Sequence, residues 1–160
     1  MNQAFGANRS SFNPAMRKNT IKFHENIQSI ILSCQSFELF SINNLNSKDF
    51  IYVDPPYLIS DAYYNVGAKN AELRWEQKDD LKLFDFLNKI NDKQIPFAMS
   101  NFIHHKGKTN EKLIEWINDM KLNTYDINSD YSHCIANINK NDNPTLEVVI
   151  TNYKKENKNE

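Results

Sequence analysis

Asp49-Phe50-Ile51-Tyr52-Val53-Asp54 is a short apolar run rich in β-branched and aromatic side chains, and the two residues that follow are Pro55 and Pro56. A run of that length and composition predicts a strand buried in a sheet. Proline has no N–H to give to a ladder, so the strand must stop at Asp54. Each proline ring also fixes its own φ near about −65° and restricts the residue before it. The chain therefore leaves the sheet through a stiff loop that holds Asp54, the Pro55 carbonyl and Tyr57 in set positions. Functional residues of open α/β sheets sit just beyond the carboxyl ends of strands, which makes Asp54-Pro55-Pro56-Tyr57 the first candidate site. The plainer reading of the same four residues is a rigid turn with a core tyrosine.

The rest of the chain supplies a layered fold around that strand. In Asn19 to Ser33, the residues Ile21, Phe23, Ile27, Ile30 and Ile31 are spaced as one face of a helix, and Ile31 can also open a strand. Phe37 to Ile42 fits either a helix or a strand. Trp75 to Ile90 predicts an amphipathic helix with Leu81, Phe84, Leu87 and Ile90 inward, closed by Asn91-Asp92-Lys93. Ile95 to Ser100 is the next strand, with Ser100-Asn101 at its end. Thr109 or Asn110 caps a further helix, with Leu113, Trp116, Ile117 and Met120 inward and Glu111 in the first turn. Leu122 to Ile127 and Thr145 to Asn152 close the order as two strands. Strand, helix, strand, helix, strand, strand predicts an α/β sheet with parallel early connections and a closing antiparallel pair.

Composition narrows the function. The chain has 160 residues and a formal net charge of −1, enough for one domain with a core. Its three glycines, Gly6, Gly67 and Gly107, are never closer than forty residues. No glycine-rich loop for a phosphate or dinucleotide is therefore encoded. Cys34 and Cys134 form no metal or disulfide spacing, and no apolar stretch reaches membrane-spanning length, so a reduced cytoplasmic protein is expected. Met1 to His24 carries four basic residues and no acid, whereas Asp49 to Ser100 carries nine acids against six bases. The basic end is either a phosphate-facing surface or a solvated tail. His104-His105 with His133-Cys134 matches no standard metal spacing, and no metal is expected.

Val53-Asp54-Pro55-Pro56-Tyr57-Leu58 resembles motif IV of the DNA adenine-N6 methyltransferases. The wider pattern resembles the Dam-like, D12 class of that family, from about Ser11 to Tyr153. It comprises Tyr63 to Asn65 and Trp75, Ile95-Pro96-Phe97-Ala98-Met99-Ser100-Asn101, His105 to Asn110, and Glu147-Val148-Val149-Ile150-Thr151-Asn152-Tyr153. The resemblance implies a partial Rossmann-like methyltransferase sheet flanked by helices, its amino-terminal strands missing. It also implies methyl transfer from S-adenosylmethionine to adenine N6 in double-stranded DNA, in restriction–modification or host-methylation systems.

The motif suits that chemistry. The lone pair of an exocyclic adenine amine is conjugated into the ring, which makes the amine a poor nucleophile. Two acceptors on its N–H groups favour a pyramidal nitrogen with the lone pair released, and they act best when preorganised. The resemblance gives those roles to Asp54 and the Pro55 carbonyl, with Pro56 stiffening the loop. Tyr57 would stack on a base flipped out of the duplex, where base–aromatic stacking is worth about 1–3 kcal/mol.

Other roles are carried over position by position. Ser36-Phe37 corresponds to the dipeptide that holds the donor's adenine, with Asp54 nearby; plain core is the other reading of Phe37. Tyr63 and Asn65 follow the motif closely enough to cover the flipped base, and packing accounts equally well for a tyrosine there. Lys106 and Lys108 flank Gly107 and suit either phosphate contact or a solvated loop. Residues 1–18, with Arg9, Arg17 and Lys18, correspond to a remnant of the target-recognition segment. Residues 19–153 form the partial catalytic domain, and residues 154–160 a charged tail. The strand ending in Phe-x-Gly-x-Gly that wraps the donor has no counterpart. The chain is accordingly expected to be the carboxyl-terminal portion of such an enzyme. The competing expectations are a non-catalytic fragment, or one half of a split enzyme whose partner is a separately encoded amino-terminal half.

Overall fold

The computed structural model describes residues 12–60, 75–127 and 145–155. The chain divides into two units, Met1–Gln35 and Ser36–Glu160.

The first unit contains helix α1, Pro14–Asn26. Asn13 caps it by accepting the Met16 N–H at 2.9 Å, and Pro14 occupies the first turn, where its missing N–H costs nothing. This differs from the helix expected over 19–33. The Asn13-Pro14 start signal sets the register, and the helix is over by Ile27, whose N–H closes the last turn on the Phe23 carbonyl. Ile31 is 95% exposed and opens no strand.

The second unit is mixed α/β. Its strands are β1 (Ile51–Val53), β2 (Phe97–His105), β3 (Lys108–Thr109), β4 (Asn123–Asp126) and β5 (Leu146–Thr151). They form a sheet of order β1-β2-β5-β4, with β3 folded back on β2. β1 and β2 are parallel, and helix α2 (Gln77–Asp92) supplies the crossover such a pair needs. β5 runs antiparallel to both β2 and β4, so the closing antiparallel pair is present. Helix α3 (Glu111–Asp119) is capped by Asn110, whose side chain accepts the Leu113 N–H. Phe37–Leu39 forms a single 3-10 turn.

Both helices supply the core on one face of the sheet. Phe97 and Met99 of β2 and Val148 and Ile150 of β5 join Leu83, Phe84, Leu87 and Ile90 of α2 and Leu113, Trp116 and Ile117 of α3. Phe84 and Trp116 stack at 4.5 Å and 6° across the helix pair, an arrangement worth about 0.5–1.5 kcal/mol beyond the area buried. Leu81, expected inward, is 46% exposed, and Leu83 takes the inner face instead. The true stripe is Asp80, Leu83, Phe84, Leu87 and Ile90, and its first member is a carboxylate that a reading of apolar spacing passes over. Asp80 is buried because Trp75 Nε1 donates to it at 2.7 Å and Asn110 Nδ2 at 3.3 Å. One side chain thereby ties Trp75, two residues before α2, to the cap of α3.

β2 is longer than expected, running five residues past Ser100 to His105. Pairing with β5 continues through a bulge between Phe102 and His104. The strand then turns through Lys106 (φ 48°) and Gly107 (φ 79°) into β3. Two consecutive positive φ values are the signature of a tight hairpin turn that matches strand twist, and Gly107 meets that demand without a Cβ clash. Lys106 and Lys108 thus sit on a hairpin rather than in an open loop. At the other end Asn152 closes the sheet. Its amide donates to the Ile95 carbonyl at 2.9 Å, and its oxygen accepts the Phe97 N–H at 2.9 Å. No helix among the described residues is long and apolar enough to cross a membrane.

Candidate functional site

The site grows out of the β1–β2 register. Ile51 lies beside Phe97, Tyr52 beside Ala98 and Val53 beside Met99. Side chains alternate across a strand, so Tyr52, Ala98, Ser100 and Phe102 share the sheet face away from the helical core. β1 stops at Val53 because Pro55 and Pro56 follow, whereas β2 continues. The first residue beyond the short strand, Asp54, therefore meets Ser100 in mid-strand. Ser100 Oγ donates to Asp54 Oδ1 at 3.0 Å and accepts from the Tyr52 hydroxyl at 3.2 Å. Asp54 is exposed while Ser100 is buried, so one carboxylate oxygen is anchored to the scaffold and the side chain as a whole faces outward.

Pro55 is buried, and the loop closes with the Ser60 N–H on the Tyr57 carbonyl at 3.0 Å. Tyr57 is half-buried. Its hydroxyl donates to Glu147 Oε1 at 2.9 Å, and its ring meets Phe102 edge-on at 4.7 Å and 75°. Burial pushes the Tyr57 phenol well above its usual range. The nearby carboxylates of Glu147 and Asp54 add to the rise, and the nearby Ser100 hydroxyl works against it. Tyr57 is therefore a neutral donor throughout the physiological range. Behind it Phe102 stacks flat on His105 at 4.6 Å and 2°. The bulge brings this about: the extra residue between Phe102 and His104 rotates His105 onto the face that Phe102 occupies.

Asp54, Pro55, Pro56 and Tyr57 are thus clamped at two points, to β2 through Ser100 and to β5 through Glu147. Ser100, at the second strand end with unusual content in the sequence, completes the arrangement with Tyr52, Phe102 and Glu147, which sequence reasoning does not single out as site residues. Glu147 did leave a mark in the sequence, as an acid inside the apolar run Leu146 to Ile150. Asn101, next to Ser100, points to the opposite face. Its Oδ1 accepts the Phe102 N–H at 2.8 Å, and its buried Nδ2 has no hydrogen-bond partner among the described residues.

The remaining candidates lie elsewhere. Ser36 Oγ accepts the Glu38 N–H at 3.3 Å as the cap of the 3-10 turn. Phe37 packs edge-on against Phe86 at 5.8 Å and tilted against Trp75 at 6.1 Å. In this dipeptide the hydroxyl serves as a cap and the ring belongs to an aromatic cluster with α2. Arg17 and Lys18 are exposed on α1 in the first unit, and Lys106 and Lys108 are exposed on the β2–β3 hairpin. Arg9, Tyr63, Asn65, His133 and Cys134 lie outside the described residues. His104 Nδ1 is 2.9 Å from Thr109 Oγ1 and His105 Nδ1 is 3.2 Å from Thr145 Oγ1; among the described residues no three His, Cys, Asp or Glu side chains cluster.

Comparison with known proteins finds similarity along most of the chain. The profile of D12 class N6 adenine-specific DNA methyltransferases matches residues 1–132. Type II methyltransferase M.FokI of Planomicrobium okeanokoites is 37% identical over 154 residues, covering 95% of this chain and 23% of that protein. Modification methylase StsI of Streptococcus sanguinis is 38% identical over the same length and coverage. Modification methylase LlaI of Lactococcus lactis subsp. lactis is 27% identical over 144 residues, 90% of this chain and 22% of that protein. The chain spans less than a quarter of the length of these relatives.

Proposed function

Because the chain belongs to the D12 class of N6 adenine-specific DNA methyltransferases, we propose that it carries the target-adenine side of methyl transfer to adenine N6 in double-stranded DNA. The observation that carries this reading is the pairing of Ser100 with Asp54 beside a tyrosine locked at both hydroxyl and ring. Asp54 accepts one N–H of the flipped adenine's amine, and the Pro55 carbonyl accepts the other. Ser100 holds Asp54 Oδ1, so the carboxylate meets the amine without first having to reorganise. Pro56 keeps the Pro55 carbonyl aimed, and Tyr57 stacks on the extruded base. Arg17, Lys18, Lys106 and Lys108, with Arg9, contact backbone phosphates, and Tyr63 and Asn65 cover the base.

The family takes its methyl group from S-adenosylmethionine. Ser36 and Phe37 are engaged in capping and packing, which favours a second reading. On that reading the chain is one half of a split enzyme, or a fragment that keeps the base pocket and leaves the donor to a preceding segment or a separate chain.

Calorimetric titration with S-adenosylmethionine separates the readings. Binding by this chain alone supports an autonomous enzyme, and binding only after adding an upstream-encoded partner supports the split form. Failure with every partner leaves a fragment. In whichever form methylates, Asp54→Ala abolishes N6-methyladenine while largely sparing DNA binding; retained methylation would remove Asp54 from the mechanism.

A further inference from the structure

Glu147 is a carboxylate within a strand of otherwise core character, and it is 7% exposed. Taking a carboxylate out of water costs stability, and a well-packed apolar residue at such a place is often the more stable choice. A tyrosine kept only for packing asks for no such group, since its hydroxyl can reach water at the rim. The antiparallel register puts Glu147 directly opposite Phe102. That one cross-strand pair therefore holds Tyr57 twice. The carboxylate takes the hydroxyl at 2.9 Å, and the ring of Phe102 meets the phenol edge-on at 4.7 Å. A contact at the para oxygen fixes where the ring ends, and one against its flank fixes how it is turned.

We infer that Glu147 is a positioning residue for target-base binding: by accepting the Tyr57 hydroxyl it sets the orientation of the face on which the base stacks. A carboxylate accepts and cannot donate, so with Glu147 in place the phenol is the donor. Ser100 and Asp54 hold the amine end of the pocket from β1 and β2, and Glu147 holds the ring end from β5. The inference rests on the reading of Tyr57 as the base platform.

The test uses the full chain and a duplex whose central 2-aminopurine faces an abasic site, so that the probe base is already unpaired. Stacking on Tyr57 quenches its fluorescence. Glu147→Ala is expected to weaken the quenching transition roughly tenfold, the size of a lost hydrogen bond to a charged group. Glu147→Gln, which keeps a carbonyl acceptor, should stay within about twofold of wild type. Tyr57→Phe should match Glu147→Ala, and the double variant should lose no more than either single one, because both remove the same contact. A purely structural role for Glu147 predicts additive losses, and additivity overturns the proposal. So does unchanged quenching in Tyr57→Phe, a variant that leaves Glu147 and the core intact and so answers even if Glu147→Ala does not fold. A wild-type chain that leaves the probe bright fails the target-base reading itself. Quenching that survives in Glu147→Ala sinks Glu147 alone.

Discussion

The Ser100 hydroxyl donates to Asp54 across 3.0 Å, and the distance follows from register: Val53 lies beside Met99, so the residue after a short strand faces the next residue of a long one. Ser100→Ala removes one buried hydroxyl and leaves the carboxylate free to rotate. In a methylating form the expected outcome is a fall in kcat of roughly ten- to a hundredfold with KM for DNA nearly unchanged, the mark of lost orientation. Steady-state methylation kinetics check it. An unchanged kcat would show that Asp54 needs no partner on β2.

Tyr57 makes stability depend on pH at the alkaline end. Its phenol is pushed up in the folded protein, chiefly by burial, so the unfolded chain releases this proton first. The contribution is fully present below the unfolded phenol value of about 10 and declines as pH rises from there toward the raised folded value. Denaturation midpoints measured across that window should fall more steeply for wild type than for Tyr57→Phe. Parallel slopes would mean that the phenol ionises as freely in the fold as outside it.

Asp80 acts at the acid end. Burial is the main cause that raises its carboxyl above the usual range, with the bonds from Trp75 and Asn110 opposing it. The stability it contributes is greatest below the unfolded value of about 4 and is lost as pH rises through the raised folded one. Asp80→Asn should therefore gain on wild type as pH rises from about 4 to 7. Asp80→Ala leaves the Trp75 and Asn110 donors without their acceptor and should cost about 2 kcal/mol at neutral pH. Urea melts at two pH values distinguish these outcomes.

Much of this arrangement was legible in the residues. Pro55-Pro56 fixed where β1 must stop, and hydrophobic spacing located α2, α3 and the closing strands, because backbone donors and apolar periods are local facts. Ile21 to Ile31 misled because spacing alone ignored the Asn13-Pro14 start, which sets the helix earlier. The local sequence ends a strand at Ser100, whereas pairing with β5 carries β2 on to His105. What stayed hidden was long-range. Glu147 lies ninety residues from Tyr57, and only the antiparallel register brings them together. Leu81 and Leu83 exchanged places because the inner stripe of α2 begins with a carboxylate whose partners, Trp75 and Asn110, lie off the helix.

Alternation along β2 has a consequence for how such a domain can change. Phe97 and Met99 hold the helices, while Ser100 and Phe102 on the reverse face touch Asp54 and Tyr57, so neighbouring letters of one strand answer to different demands. Truncating the first set to alanine removes core volume at about 2–5 kcal/mol each. On the proposed function, exchange within the second would alter how the target base is held, with the helix-facing core left in place. A strand built this way lets specificity drift while the fold stays fixed.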